Sequence, residues 1–163
     1  MVRLTVWTFP SFYGAGIVVK RLQMLSASEL IRFHDAALLS WSCGRHTPCL
    51  QVIVELPRIW MLDDAFWGIL AGALFHPDRF NSGAADGGAI GAMLASLGLN
   101  AELLDNIRGL VIEGTSALLL LIEPEVVWRI RTAFEGMSYT LVEAPLSLDQ
   151  QQWLRSAFSA HID

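Results

Sequence analysis

Charged residues are scarce in this chain. Only 17% of its 163 residues are Asp, Glu, Lys or Arg, whereas 53% are hydrophobic, and the mean hydropathy is +0.45. This composition is more apolar than that of a typical soluble monomer. We therefore expect lipid or a partner protein to cover part of the surface.

Basic residues are the scarcer of the two charged classes. The chain has 11 Lys and Arg against 16 Asp and Glu, which gives a formal net charge of −5. Binding to nucleic acid depends on a basic surface that displaces counterions from phosphates. The composition therefore argues against nucleic acid as a partner.

Cysteine is also rare, and both cysteines fall in the segment CGRHTPC. Cys43, His46 and Cys49 have a C-x₂-H-x₂-C spacing, but three ligands without a fourth match zinc sites only weakly. A disulfide across a hairpin would need an oxidising compartment. The segment MVRLTVWTFPSF lacks the continuous apolar core of a secretory signal. We expect two free thiols, no metal or other cofactor, and a cytoplasmic protein.

The chain lacks an apolar run long enough to cross a membrane. Its most apolar stretch, residues 66–99, is interrupted by His-Pro-Asp-Arg at 76–79, and the run before it, 65–75, has 11 residues. A membrane-spanning helix takes roughly 20 apolar residues. The sequence therefore predicts a hairpin of two short helices at about 63–99. The sequence argues against a membrane span but leaves contact with a membrane surface as an option.

Small residues recur every four positions in this predicted hairpin. Faces of this kind let helix backbones approach closely. Each glycine in a helix interior costs about 0.8–1 kcal/mol relative to alanine, so five imply roughly 4–5 kcal/mol that close packing must offset. We expect these residues to form the interface of a homo-oligomer; a tight helix pair within one chain is the alternative. The residues are Gly68, Gly72, Gly83, Gly87, Gly91 and Ala95.

Hydrophobic periodicity predicts the elements outside the hairpin. A period of two indicates a strand over 4–9, and helical spacing indicates a helix from Tyr13 to about Leu30. Two strands, Ala36–Cys43 and Leu50–Leu56, follow as a β-hairpin. The later predicted elements are a helix at Ala101–Arg108, a strand at Thr115–Ile122, a helix at Glu125–Phe134, a strand at Tyr139–Ala144 and a helix at Leu148–Phe158, which begins with a capping box of Ser147 and Gln150.

This order of elements predicts an α+β fold in a single domain spanning residues 1–163. It is a ferredoxin-like split βαβ sheet with one extra strand, an inserted glycine-rich helical hairpin and a C-terminal helix. Both sides of the strands carry apolar residues, with Leu118 and Leu120 opposite Leu119 and Leu121, so both faces of the sheet should be covered. The two crossover helices cover one face. The inserted hairpin or a second subunit covers the other.

Catalytic patterns are missing. His34 and Asp35 are adjacent and could pair as acid and base, but neighbours on a strand point to opposite faces, so a surface turn is the expectation. Asp86 is expected to favour a helix N-terminus; a residue that lines a pore or binds an ion is the alternative. The glycines near it lack the Lys-Ser/Thr of a phosphate-binding loop. We expect a protein that is not an enzyme.

Four segments in order resemble a known family. They are FWGILAGALF, GGAIGAMLASLGL, IEGTSALLLLIEPEVVWRI and TLVEAPLS, and LSASELIRFHDAALLSW extends the likeness toward the N-terminus. The chain resembles the bacterial domain-of-unknown-function family often described as predicted membrane proteins. The resemblance implies a small α+β domain interrupted by a glycine-rich hairpin, a Gly-Thr-Ser-Ala strand at 114–117, a tendency to oligomerise, and no established catalytic residues.

Two classes of function follow from these observations. The first is a structural or interaction protein that self-associates through the glycine-rich hairpin and an apolar sheet face. The second is a small-molecule or lipid-binding domain, with an enzyme among the options, whose apolar cavity would be lined by Trp7, Trp41, Trp60 and Trp67. A membrane-associated protein is a further alternative.

Overall fold

The computed structural model describes residues 2–27, 31–53, 56–75 and 94–158. The strands are β1 (Arg3–Phe9), β2 (Asp35–Ser40), β3 (Cys49–Val52), β4 (Ser116–Ile122) and β5 (Thr140–Pro145). The helices with defined bounds are α1 (Gly14–Ala27), α2 (Asp64–Phe75), α3 (Ala101–Leu110), α4 (Pro124–Ala133) and α5 (Leu148–Ala157). The elements predicted outside the hairpin are therefore present. The predicted second helix of the hairpin falls largely on residues 76–93, outside the described ranges.

The five strands form one antiparallel sheet in the order β3-β2-β4-β1-β5. β4 pairs with both β1 and β2, with Leu121 opposite Leu4 on one side and opposite Asp35 on the other. β1 and β2 consequently run parallel to each other with β4 between them. The chain is thus an α+β protein, as its sequence predicts.

Both faces of the sheet are covered within the chain. Alternation along the strands sends Trp7 and Leu118 to one face, which α1 and α4 cover; we call it the α1 face. Leu119 and the residues two positions before and after it point to the opposite face, which we call the α2 face. Trp67 of α2 and Leu154 of α5 pack there, together with residues of α3. The sheet face that was expected to serve self-association is therefore buried by the chain's own helices.

The Gly-Thr-Ser segment at the start of β4 ties the sheet to α1. Gly114 has a φ of 84°, a left-handed conformation that suits glycine. The Thr115 hydroxyl bonds both backbone groups of Ile112, accepting from its N–H at 3.0 Å and donating to its carbonyl at 2.6 Å. The Ser116 hydroxyl accepts from the N–H of Ala15 at 2.9 Å and donates to the carbonyl of Ser11 at 2.7 Å. These contacts fix where α1 begins over the sheet.

The C-terminal helix begins as predicted. Ser147 and Gln150 form a capping box at the start of α5. The Gln150 amide also donates to the carbonyl of Ser96 at 2.6 Å. This bond connects α5 to the segment that precedes α3, so both are held over the α2 face.

Candidate functional site

A buried carboxylate at the start of β2 organises the most polar cluster of the interior. Asp35 is fully buried and lies on the α2 face, in phase with Ala37 and Leu39. Its Oδ1 accepts from the Arg58 guanidinium at 3.2 Å and from the Trp67 indole at 3.3 Å. Because charged groups are buried only when they are paired and hydrogen-bonded, this arrangement explains how an acid is tolerated here.

The same carboxylate holds two backbone groups. The N–H of Leu62 donates to Oδ2 at 2.7 Å, and the N–H of Ala36 donates to Oδ1 at 2.7 Å. Asp35 thereby joins β2, the irregular segment 56–63 and the first turns of α2. Met61, next to Leu62, has a φ of 47°, which is rare for a residue with a side chain. The carboxylate therefore anchors a strained turn.

A histidine lies beside this anchor. The His34 side chain is 15% exposed, and its Nε2 is 3.5 Å from Oε1 of Glu123. Its ring lies 4.9 Å from the Trp60 ring, and the Arg155 guanidinium lies 5.5 Å from the same Trp60 ring. Burial lowers the pKa of His34, and the Glu123 carboxylate offsets part of that effect. The neutral imidazole is therefore favoured in the folded protein.

The expected surface turn at His34 and Asp35 is wrong. Asp35 is fully buried inside β2, and its neighbour His34 is largely buried as well. The two side chains point to different partners, as neighbours on a strand should. Four donors occupy the Asp35 carboxylate, which leaves it a structural anchor and not a free base.

The four tryptophans proposed to line a cavity are not brought together. Trp7 is buried on the α1 face, where its indole donates to the Thr5 hydroxyl at 2.8 Å. Trp41, Trp60 and Trp67 pack on the α2 face. Because the sheet separates Trp7 from the other three, the four cannot form one pocket wall.

An open groove lies elsewhere, beside the edge strand. It encloses about 630 Å³ between α1 and the β2–β3 pair, and Lys20, Gln23 and Gln51 are among its lining residues together with Val19 and Leu38. None of the four tryptophans lines it. The lining of this groove thus mixes apolar side chains with charged and amide groups.

The cysteine and histidine cluster is exposed. Cys43 and Cys49 are free thiols, and His46 lies on the surface between them. Within the ranges described, no group of three or more His, Cys, Asp or Glu residues is arranged to hold a metal ion.

The described residues include only part of the small-residue pattern. Gly68 lies on the exposed side of α2, and a Cβ built there would meet no atom within 4 Å. Gly72, one turn later, is half-buried. Among the described residues, no helix is long and apolar enough to cross a membrane. Ala95 is exposed, while three positions lie outside the described residues: Gly83, Gly87 and Gly91.

Sequence reasoning did not identify the Asp35 cluster, although part of its signal was present. Asp35 shares the two-residue phase of Ala37 and Leu39, which indicates an inward side chain. Arg58 is the single charge in the segment LPRIWML. Which cation meets which acid depends on contacts across 23 residues, and that pairing has no local signature.

The fold and this cluster define an α+β protein whose interior carries a single anchoring ion pair among the described residues. The sequence model of one family, "Protein of unknown function (DUF1269)", matches residues 62–159, more than half of the chain. The chain belongs to this family. Comparisons with curated proteins and with solved structures gave no match.

Proposed function

We propose that this protein is a non-enzymatic structural protein that self-associates through the outward face of α2. Phe66, Trp67 and Leu70 point into the core, so the opposite side of the helix carries Ala65 and Gly68 at the surface. The glycine-rich stretch that follows in sequence continues the same spacing. The interface would therefore combine α2 with residues 83–95.

The observation that carries this proposal is the open space at Gly68. A glycine inside a helix costs about 0.8–1 kcal/mol relative to alanine, so a reason to keep it is expected. No atom of the residues that the structure describes lies within 4 Å of its Cβ position, and its backbone does not have a positive φ. Neither backbone conformation nor packing against the described part of the chain requires glycine there. Close approach of a second copy does require it.

Composition supports the same proposal. The chain is 53% hydrophobic, and both faces of the sheet are already covered by its own helices. α2, DAFWGILAGALF, is a strongly apolar helix whose large side chains are buried, and small residues occupy its exposed side. A symmetric pair that uses the same face of both copies is the simplest assembly.

Sedimentation velocity of the full chain at several micromolar concentrations tests this function. We expect a species containing at least two chains of 18.0 kDa. An 18.0 kDa species throughout the series contradicts self-association.

We also propose that the sheet belongs to the ferredoxin-like class. Without the edge strand β3, the order is β2-β4-β1-β5, and all neighbours are antiparallel. The connection from β1 through α1 to β2 leaves room for β4 between the two parallel strands, which is the split βαβ arrangement. An experimental structure in which β4 lies at an edge would contradict this assignment.

A further inference from the structure

An exposed stripe of large apolar side chains runs along α1, away from the sheet. Tyr13 is 72% exposed, Ile17 51% and Met24 77%. Tyr13 belongs to the same helical turn because its carbonyl accepts from the N–H of Ile17 at 3.1 Å. Burying such side chains is favourable, so an exposed set aligned along one side of a helix indicates a surface that another body covers.

Two cations border this stripe. At about 100° per residue, Tyr13 and Met24 fall within about 40° of Ile17 around the helix axis. Lys20 lies about 60° to one side of Ile17 and Arg21 about 40° to the other. The helix GAGIVVKRLQMLSA contains no acidic residue. An apolar strip is thus edged by positive charge on both sides, in a chain whose net charge is −5.

The neighbouring helix adds an aromatic side chain to the same outer layer. α4 covers the α1 face of the sheet beside α1, and the Arg21 guanidinium donates to the carbonyl of Ala133 at its end, at 3.3 Å. Trp128 of α4 is 71% exposed. α4 itself holds one acidic and two basic residues, so it adds net positive charge to the same layer.

We propose that this stripe binds the surface of an anionic lipid membrane. Helices that lie in the membrane interface have an apolar strip flanked by Lys and Arg, whose charged ends reach the lipid phosphates. Tyr and Trp suit the same depth because each has an apolar ring and a polar end. The stripe is one convex helix surface, which enters a soft interface without needing a matching groove. Its charge is complementary to anionic headgroups.

This surface differs from the one assigned to self-association. α1 packs on the α1 face of the sheet, whereas α2 packs on the α2 face, so the two surfaces lie on opposite sides. α1 also lies outside residues 62–159, which the family model matches. An assembled protein could therefore present α1 to a membrane.

Flotation of the full chain with lipid vesicles tests the proposal. We expect it to float with vesicles of phosphatidylglycerol and phosphatidylcholine, and to float much less with phosphatidylcholine alone. Met24→Glu and Ile17→Glu should each lower the partition coefficient about tenfold or more, because a charge replaces a buried apolar side chain. Lys20→Gln should lower it about fivefold, the effect of one cation near the surface.

Leu148→Glu is the matched control, because Leu148 is 69% exposed and lies on α5, on the opposite side of the sheet. It should bind vesicles as the unmodified chain does. The proposal is overturned if the unmodified chain does not float with anionic vesicles, if Met24→Glu floats equally well, or if Leu148→Glu loses as much. It is also overturned if Met24→Glu changes the molar mass in light scattering, because the stripe would then be a contact between copies.

Discussion

Asp35 and Arg58 form an ion pair inside the protein, with Oδ1 and Nη1 3.2 Å apart. The carboxylate is fully buried, and the Arg58 side chain is 11% exposed. The pair connects the first residue of β2 to the segment that leads into α2. The N–H groups of Ile59 and Trp60 also donate to the carbonyls of residues 33 and 34. The pair therefore positions α2, which carries the proposed interface.

Removing the charge of Asp35 should be strongly destabilising. Asp35→Asn leaves the Arg58 cation buried without its counter-ion, and breaking a buried pair in this way costs about 3–5 kcal/mol. Urea unfolding followed by circular dichroism measures the loss. Glu143→Gln is the control, because it breaks the exposed pair with Arg3 and should cost only about 0–1 kcal/mol. Equal losses in the two variants would contradict the anchoring role of Asp35.

The stability of the protein should depend on the protonation of His34. Burial lowers its folded pKa below 6.5, although Glu123 offsets part of the shift. Above pH 6.5 the imidazole is neutral in both states, and below it the unfolded chain takes up a proton first. The free energy of unfolding should therefore fall as the pH drops from 6.5 toward the lowered folded pKa.

His34→Gln isolates this effect from the titration of carboxylates. The difference in unfolding free energy between the variant and the unmodified chain should be constant above pH 6.5 and should change in favour of the variant below it. A difference that stays constant over the whole range would show that His34 has the same pKa in both states.

Replacing two of the glycines with alanine should change the stability of the protein in opposite directions. Gly114 has a φ of 84°, and a Cβ there would lie 3.4 Å from the Cys43 sulfur. Gly114→Ala should cost about 1–2 kcal/mol, because side chains disfavour the left-handed region. Gly16 lies inside α1 with no atom within 4 Å of its Cβ position, so Gly16→Ala should gain about 0.5–1 kcal/mol. Thermal melts measure both, and a stabilised Gly114→Ala would contradict the account of this turn.

Local patterns predicted the elements well because each depends on side chains close in sequence. The alternation over residues 4–9 corresponds to β1, and the capping box of Ser147 and Gln150 begins α5. Alternation also predicted that both sheet faces would be buried. Leu118 and Leu119 in β4 do point to opposite faces.

Long-range contacts were beyond the reach of these patterns. Trp7 and Trp67 are both fully buried, but their separation by the sheet depends on how strands distant in sequence pair. The Asp35 anchor joins residues 23 and 32 positions apart. The apolar segment containing Arg58 indicates burial without indicating its partner. Periodicity therefore predicted which side of each element is buried. It could not predict the cluster that residues from several elements form.

Gly68→Leu tests self-association most directly, because a monomer and an assembly predict changes in stability of opposite sign. In a single chain the leucine meets no atom of the described residues and improves the helix, so the melting temperature should rise. In an assembly it enters a close backbone contact, where overpacking costs about 1–3 kcal/mol in each copy. Gly109→Leu is the control, because Gly109 also lies on an exposed helix side with no atom within 4 Å.

Sedimentation velocity with a parallel thermal melt is the deciding measurement. We predict that the unmodified chain and Gly109→Leu sediment as the same assembly, whereas Gly68→Leu sediments as smaller species and melts at a lower temperature. An unchanged assembly in Gly68→Leu together with a raised melting temperature would contradict self-association through α2.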